Sequence, residues 1–118
     1  MSSPRSITFL LQDIVEFGSE AIETVGDRDA DAILAERLRE HAVLRTVQIV
    51  GEASAQILKQ RPEGLAGLEL REATGLRNVL VHGYAKVRME RVVAAVDQYL
   101  PNLVEGARRA LESGDFAS

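Results

Sequence analysis

The chain contains no cysteine and no tryptophan, and only three prolines, two tyrosines, three phenylalanines and two histidines among 118 residues. Without cysteine there is no disulfide framework, no thiolate metal site and no cysteine nucleophile. Aromatic residues make up 4% of the chain while hydrophobic residues make up 46%, so a core must be built from Leu, Ile, Val and Ala. That supply, with plentiful Glu and Arg, favours helices. No apolar run reaches membrane-spanning length before an acidic residue interrupts it, and the start "MSSPRSITFLLQDIVEF" lacks the pattern of a secretory signal. The expectation is a cytoplasmic protein with no membrane contact, folding as a single domain over 1–118 with its core at about 7–111.

Basic charge is also scarce, for the formal net charge is −4. The scarcity is uneven. Between Arg71 and Arg91 stand five basic residues (Arg71, Arg77, Lys86, Arg88, Arg91) against two acidic ones (Glu72, Glu90), and the segments on either side are both acidic. An average can hide a local patch, and this cationic segment is where a polyanion would find purchase.

Apolar residues at Ile7, Leu10, Leu11, Ile14, Phe17, Ala21, Ile22 and Val25 follow the three-and-four spacing of one helix face. Ser3 and Pro4 can start this helix and Gly26 can end it. "GDRDAD" reads as a turn in which Asp29 or Asp31 caps a short helix. The pattern then continues, with a bend expected near Arg39 to Ala42, into a long helix reaching about Gln60. "QRPEGLAG" is a loop, and a further helix is expected from about Leu68 towards His82, where Gly83 ends it. The last helix runs from Met89 to Leu111 with a kink at Pro101. No segment shows sustained two-residue alternation, so the fold class is all-α, an up-and-down bundle of four to five helices.

The sparing use of polar aromatics and histidine makes "GLRNVLVHGY" unusual, because Arg77, Asn78, His82 and Tyr84 fall within eight residues of one another. On one continuous helix Asn78 and His82 would share a face, as would Arg77 and Tyr84. Arg offers a fork of donors suited to phosphate, His a proton carrier near neutral pH, Asn an orienting amide and Tyr a hydroxyl. Such a set suffices for metal-independent RNA cleavage, with His82 as acid or base and Arg77 stabilising charge on phosphorus. A lone histidine near a helix end is more often a C-terminal cap than a catalyst, and an Arg and a Tyr seven apart can simply pack against each other on a surface. His41 belongs to no motif and reads as a surface or interface residue. Glu52 reads as a structural or interface residue rather than a catalyst.

The order Arg77, Asn78, His82, Tyr84 resembles the signature of the HepT-like family of HEPN domains, and the likeness extends to "LLQDIVEF", "HAVLRTVQIVGEASAQI" and "YLPNLVEGA". The resemblance implies a HEPN-type, dimer-forming helical bundle in which two copies of the motif line a shared cleft. It implies the toxin of a type VII-like toxin–antitoxin system: an endoribonuclease acting on RNA as a homodimer, with Arg77 and His82 catalytic and Asn78 positioning. It also implies a cognate MntA-like nucleotidyltransferase antitoxin that silences the toxin by AMPylation of Tyr84, with no cofactor and no metal. The acidic net charge keeps an alternative open: a non-catalytic substrate- or nucleotide-binding subunit of a minimal nucleotidyltransferase complex.

Overall fold

The computed structural model describes residues 5–81, 83–114 and 116. Among them the chain forms six helices and no strand: α1 (Ile7–Val25), α2 (Ala30–Leu34), α3 (Arg37–Gln60), α4 (Leu70–Val79), α5 (Ala85–Gln98) and α6 (Leu100–Ser113). The all-α expectation holds, with one more helix than the upper bound of the sequence reading. The extra element comes from the last apolar stretch, which is two helices rather than one kinked helix. Pro101 has no N–H to continue a helix and a φ suited to the first turn of a new one, so it sits at the start of α6. The chain turns at Tyr99, whose carbonyl accepts from the Leu103 N–H at 3.0 Å.

Local chemistry accounts for several boundaries. Ser6 caps α1 by accepting the Phe9 N–H at 3.1 Å, while the proposed starters Ser3 and Pro4 lie outside the described residues. Gly26 ends α1 with a positive φ of 54°. Asp29 caps α2 by accepting from the Ala32 N–H at 2.9 Å. The break before the long helix falls at Ala35 and Glu36, earlier than the bend expected near Arg39. Arg39 secures it, donating to the Glu36 carboxylate and to the Thr24 carbonyl at the end of α1.

Two buried clusters fill the bundle. One joins Leu10, Leu11 and Ile14 of α1 to Val50 and Ile57 of α3, Leu70 and Ala73 of α4 and Leu103 of α6. The other joins Ala21 and Val25 of α1 to Val43 and Val47 of α3, Leu76 of α4 and Met89, Val92 and Val96 of α5. The residues each helix contributes to the two clusters show that α1 and α4 run opposite to α3 and α6, the up-and-down arrangement, with α2 and α5 closing one end. Gly18 lies between the clusters. A Cβ there would stand 2.6 Å from Val104 Cγ2 and 3.8 Å from Val50 Cγ2, so the glycine sets how closely α1 approaches α6 and α3. Thr46 and Ser54, buried on α3, donate their hydroxyls to carbonyls of the preceding turn and leave no unmet polar demand.

Candidate active site

The motif segment begins on α4, which packs against α3 through Ala73 and Leu76, both buried. One turn of α3 is built to receive it. Gly51 has no side chain where α4 crosses; a Cβ there would meet Arg77 Cγ at 2.9 Å and the Ala73 carbonyl at 3.3 Å. The methylene stem of Arg77 therefore lies over bare α3 backbone. The next residue, Glu52, takes the head of that side chain, with Arg77 Nη1 donating to Glu52 Oε1 at 3.3 Å. Both partners remain near half exposure, at 43% and 50%. A pair so open to water adds on the order of 0–1 kcal/mol to stability, so its consequence is placement of the guanidinium rather than cohesion of the fold.

Beside this pair is a groove of about 330 Å³ lined by Leu44, Gln48, Glu52, Arg77, Leu80 and Val81. Its α3 wall is a stripe of residues four apart, Leu44, Gln48 and Glu52, which a helix stacks on one face. The opposite wall is the end of α4.

That end comes sooner than the sequence indicates. The helix stops at Val79; the Leu80 N–H still donates to the Leu76 carbonyl at 3.2 Å, and the Val81 N–H donates to the Asn78 carbonyl at 3.4 Å, tightening the last turn. Gly83 has a positive φ of 85°, and Tyr84 is extended at the N-cap of α5. The expectation that Arg77 and Tyr84 share one continuous helix face is thus corrected: Arg77 belongs to the last turn of α4 and Tyr84 begins the next helix. The physical reason is the glycine, which relieves the chain of any need to stay right-handed. Arg88 braces the connection from the α5 side, donating through Nη2 to the Gly83 carbonyl at 3.2 Å, while its backbone N–H donates to the Tyr84 carbonyl at 2.8 Å.

His82 lies outside the described residues. Of the other three, Arg77 enters the groove wall, Asn78 is exposed at the end of α4, and Tyr84 is 85% exposed. Val81, preceding His82 in the chain, is 70% exposed as well as lining the groove.

Glu52 is the residue whose part sequence reasoning missed. It stands 25 positions before Arg77, beyond any helical spacing. The signal that could have found it is the Gly51-Glu52 dipeptide, a bare backbone position followed by a carboxylate on the helix that α4 must cross. His41 is exposed near the start of α3, in keeping with a surface or interface residue.

Other basic residues of the cationic segment have partners of their own. Lys86 pairs with Asp31 at 3.6 Å, and Arg71 donates to the Pro62 carbonyl at 3.0 Å. Among the described residues, no helix is long and apolar enough to cross a membrane.

Comparison with known proteins agrees on one group. The model of the family described as Ribonuclease HepT-like matches residues 14–110. The protein named "Putative RNase MJ1380" of Methanocaldococcus jannaschii is 34% identical over 82 residues, covering 70% of this chain and 75% of that protein. "Putative RNase MJ0125" of the same organism is 29% identical over 80 residues, covering 68% of this chain and 69% of that protein. No solved structure matches the chain.

Proposed function

We propose that this chain, which belongs to the Ribonuclease HepT-like family, is a metal-independent endoribonuclease and the toxin of a type VII-like toxin–antitoxin pair, acting on RNA as a homodimer. The observation that carries the reading is the placement of Arg77. Its guanidinium is held on a groove wall by Gly51 and Glu52, on the segment that leads through Val81 and Gly83 to the exposed Tyr84.

The chemistry needs little more than this segment supplies. A ribose 2′-oxygen attacks the adjacent phosphorus, the bond to the 5′-oxygen breaks, and a cyclic phosphate and a 5′-hydroxyl result. His82 takes the proton from the 2′-hydroxyl or returns one to the leaving oxygen, and Arg77 compensates the charge that builds on the phosphate oxygens. Asn78 orients these groups. One protomer carries one such histidine, so two copies facing across a dimer supply both acid and base.

Tyr84 is the point of control. A cognate MntA-like nucleotidyltransferase antitoxin transfers AMP from ATP to the Tyr84 oxygen, releasing pyrophosphate and the phenolic proton. At 85% exposure the ring is open to such an enzyme, and the added phosphate brings negative charge to the site that must receive RNA phosphate.

The decisive experiment is cleavage of total RNA in excess chelator by purified protein, shown to be unmodified by intact mass, beside its His82→Ala variant. Cleavage by the first and not the second is the expected result. Folded dimeric protein that leaves RNA intact would instead favour a non-catalytic subunit of a nucleotidyltransferase complex.

A further inference from the structure

We infer that Glu52 is a positioning residue for Arg77, clamping one edge of the guanidinium so that its other N–H donors face an incoming phosphate; the inference rests on the ribonuclease reading of this groove. An arginine side chain has several rotatable bonds, and most of that freedom would have to be lost before it could hold a transition state. Here it is restrained at two points. Gly51 leaves a bed for the stem, with Arg77 Cγ 2.9 Å from the place of an ideal Cβ, and Glu52 Oε1 accepts from Nη1 at 3.3 Å. The fork of Arg has five donors, so engaging Nη1 leaves Nε and the outer Nη2 to present to phosphate.

Glu52 makes no other ion pair among the described residues. The nearby Arg45, which lines the adjoining groove with Glu52, donates instead to Gln48 at 3.5 Å. Glu52 has a second consequence. Its carboxylate borders the groove that RNA would enter, so an unpaired Glu52 would repel phosphate; pairing with Arg77 masks that charge. Gly51 and Glu52 together therefore do two jobs for one side chain. They aim Arg77 and keep the aiming group from opposing the substrate.

The test uses steady-state cleavage of a ribo-oligonucleotide by unmodified full-length protein, comparing Glu52→Ala, Glu52→Gln, Arg77→Ala and the double variant Glu52→Ala/Arg77→Ala. Loss of an interaction that acts in the transition state lowers kcat more than it raises KM, so Glu52→Ala is expected to lower kcat about tenfold with KM within about threefold. Glu52→Gln, which keeps an acceptor oxygen, recovers at least part of the loss. In the Arg77→Ala background the same alanine should cost less than about twofold, because coupled residues fail to add. Undiminished kcat in Glu52→Ala, or an equal loss with and without Arg77, would overturn the assignment. If the wild type cleaves no RNA, the ribonuclease reading fails first, and Nε relaxation of Arg77 by NMR decides the positioning role separately. Ordering of that side chain in the wild type and not in Glu52→Ala upholds it, and equal order in both overturns it.

Discussion

Arg77 lies across α3 where a side chain on Gly51 would stand, its Cγ 2.9 Å from the ideal Cβ position. The glycine is thus a requirement of close helix approach and of arginine placement together. Gly51→Ala should lower stability by about 1–3 kcal/mol, the usual cost of an inserted methyl in a packed contact, and should reduce cleavage beyond what the lost stability explains. Urea denaturation and cleavage rates measured on the same preparation separate the two effects.

A second glycine governs the bundle without touching the site. Adding a Cβ to Gly18 drives it to 2.6 Å from Val104 Cγ2, so Gly18→Ala should destabilise by about 1–3 kcal/mol. Because the clash has one principal partner, Val104→Ala should recover part of that loss when combined with it, a non-additivity visible in a double-mutant cycle of denaturation midpoints. Fully additive losses would show that the two helices are separated in solution.

Tyr84→Phe removes a hydroxyl from a residue that is 85% exposed and whose ring supports no buried cluster. Stability should stay within about 0.5 kcal/mol of the wild type, as for most surface substitutions. On the proposed reading, cleavage should persist, while incubation with a cognate nucleotidyltransferase and ATP should no longer add mass. Undiminished AMP transfer to the variant would place the acceptor elsewhere.

Among the described residues, Glu36 at the start of α3 carries a perturbed carboxyl. The side-chain hydrogen bond from Arg39, reinforced by its charge, holds the Glu36 carboxyl below its ordinary value of 4.5. A carboxylate stabilised in this way contributes to folding above that value and loses the contribution as pH falls through its lowered folded value. Glu36→Gln should therefore flatten the loss of stability below pH 4.5, seen as a smaller difference in denaturation midpoint between neutral and acidic buffer. An unchanged difference would mean that the Arg39 contact has no energetic consequence in water.

The caps offer a simpler check. Asp29→Ala removes the acceptor of the Ala32 N–H and should cost about 1 kcal/mol. Asp29→Asn, which retains an acceptor, should cost less; thermal unfolding of the two variants distinguishes capping from general surface charge.

Much of this architecture could be read from the order of residues. The apolar spacing of Ile7 to Val25, the capping role of Asp29 and the breaking role of Gly26 depend on neighbours within a few positions, and local sterics and hydrogen bonding decide them. The last helix was less legible. Periodicity runs through Tyr99 without interruption because α5 and α6 both bury one apolar side, and Pro101 could serve either as a kink or as a first turn. The absence of a continued helix beyond Val79 was similarly hidden, since Val79, Leu80 and Val81 suit a helix as well as a turn and only Gly83 marks the change.

By itself, then, the amino-acid order determined an all-helical chain and concentrated its distinctive polar chemistry between Arg77 and Tyr84, because helical periodicity and residue chemistry are local properties. Only the tertiary structure decided that Arg77 meets Glu52 across 25 positions and that Tyr84 stands at the N-cap of the helix that follows the one carrying Arg77. Those relationships arise where α3 and α4 cross at Gly51 and where the backbone turns at Gly83. They are set by packing between helices and by a positive φ, neither of which has a period in the sequence.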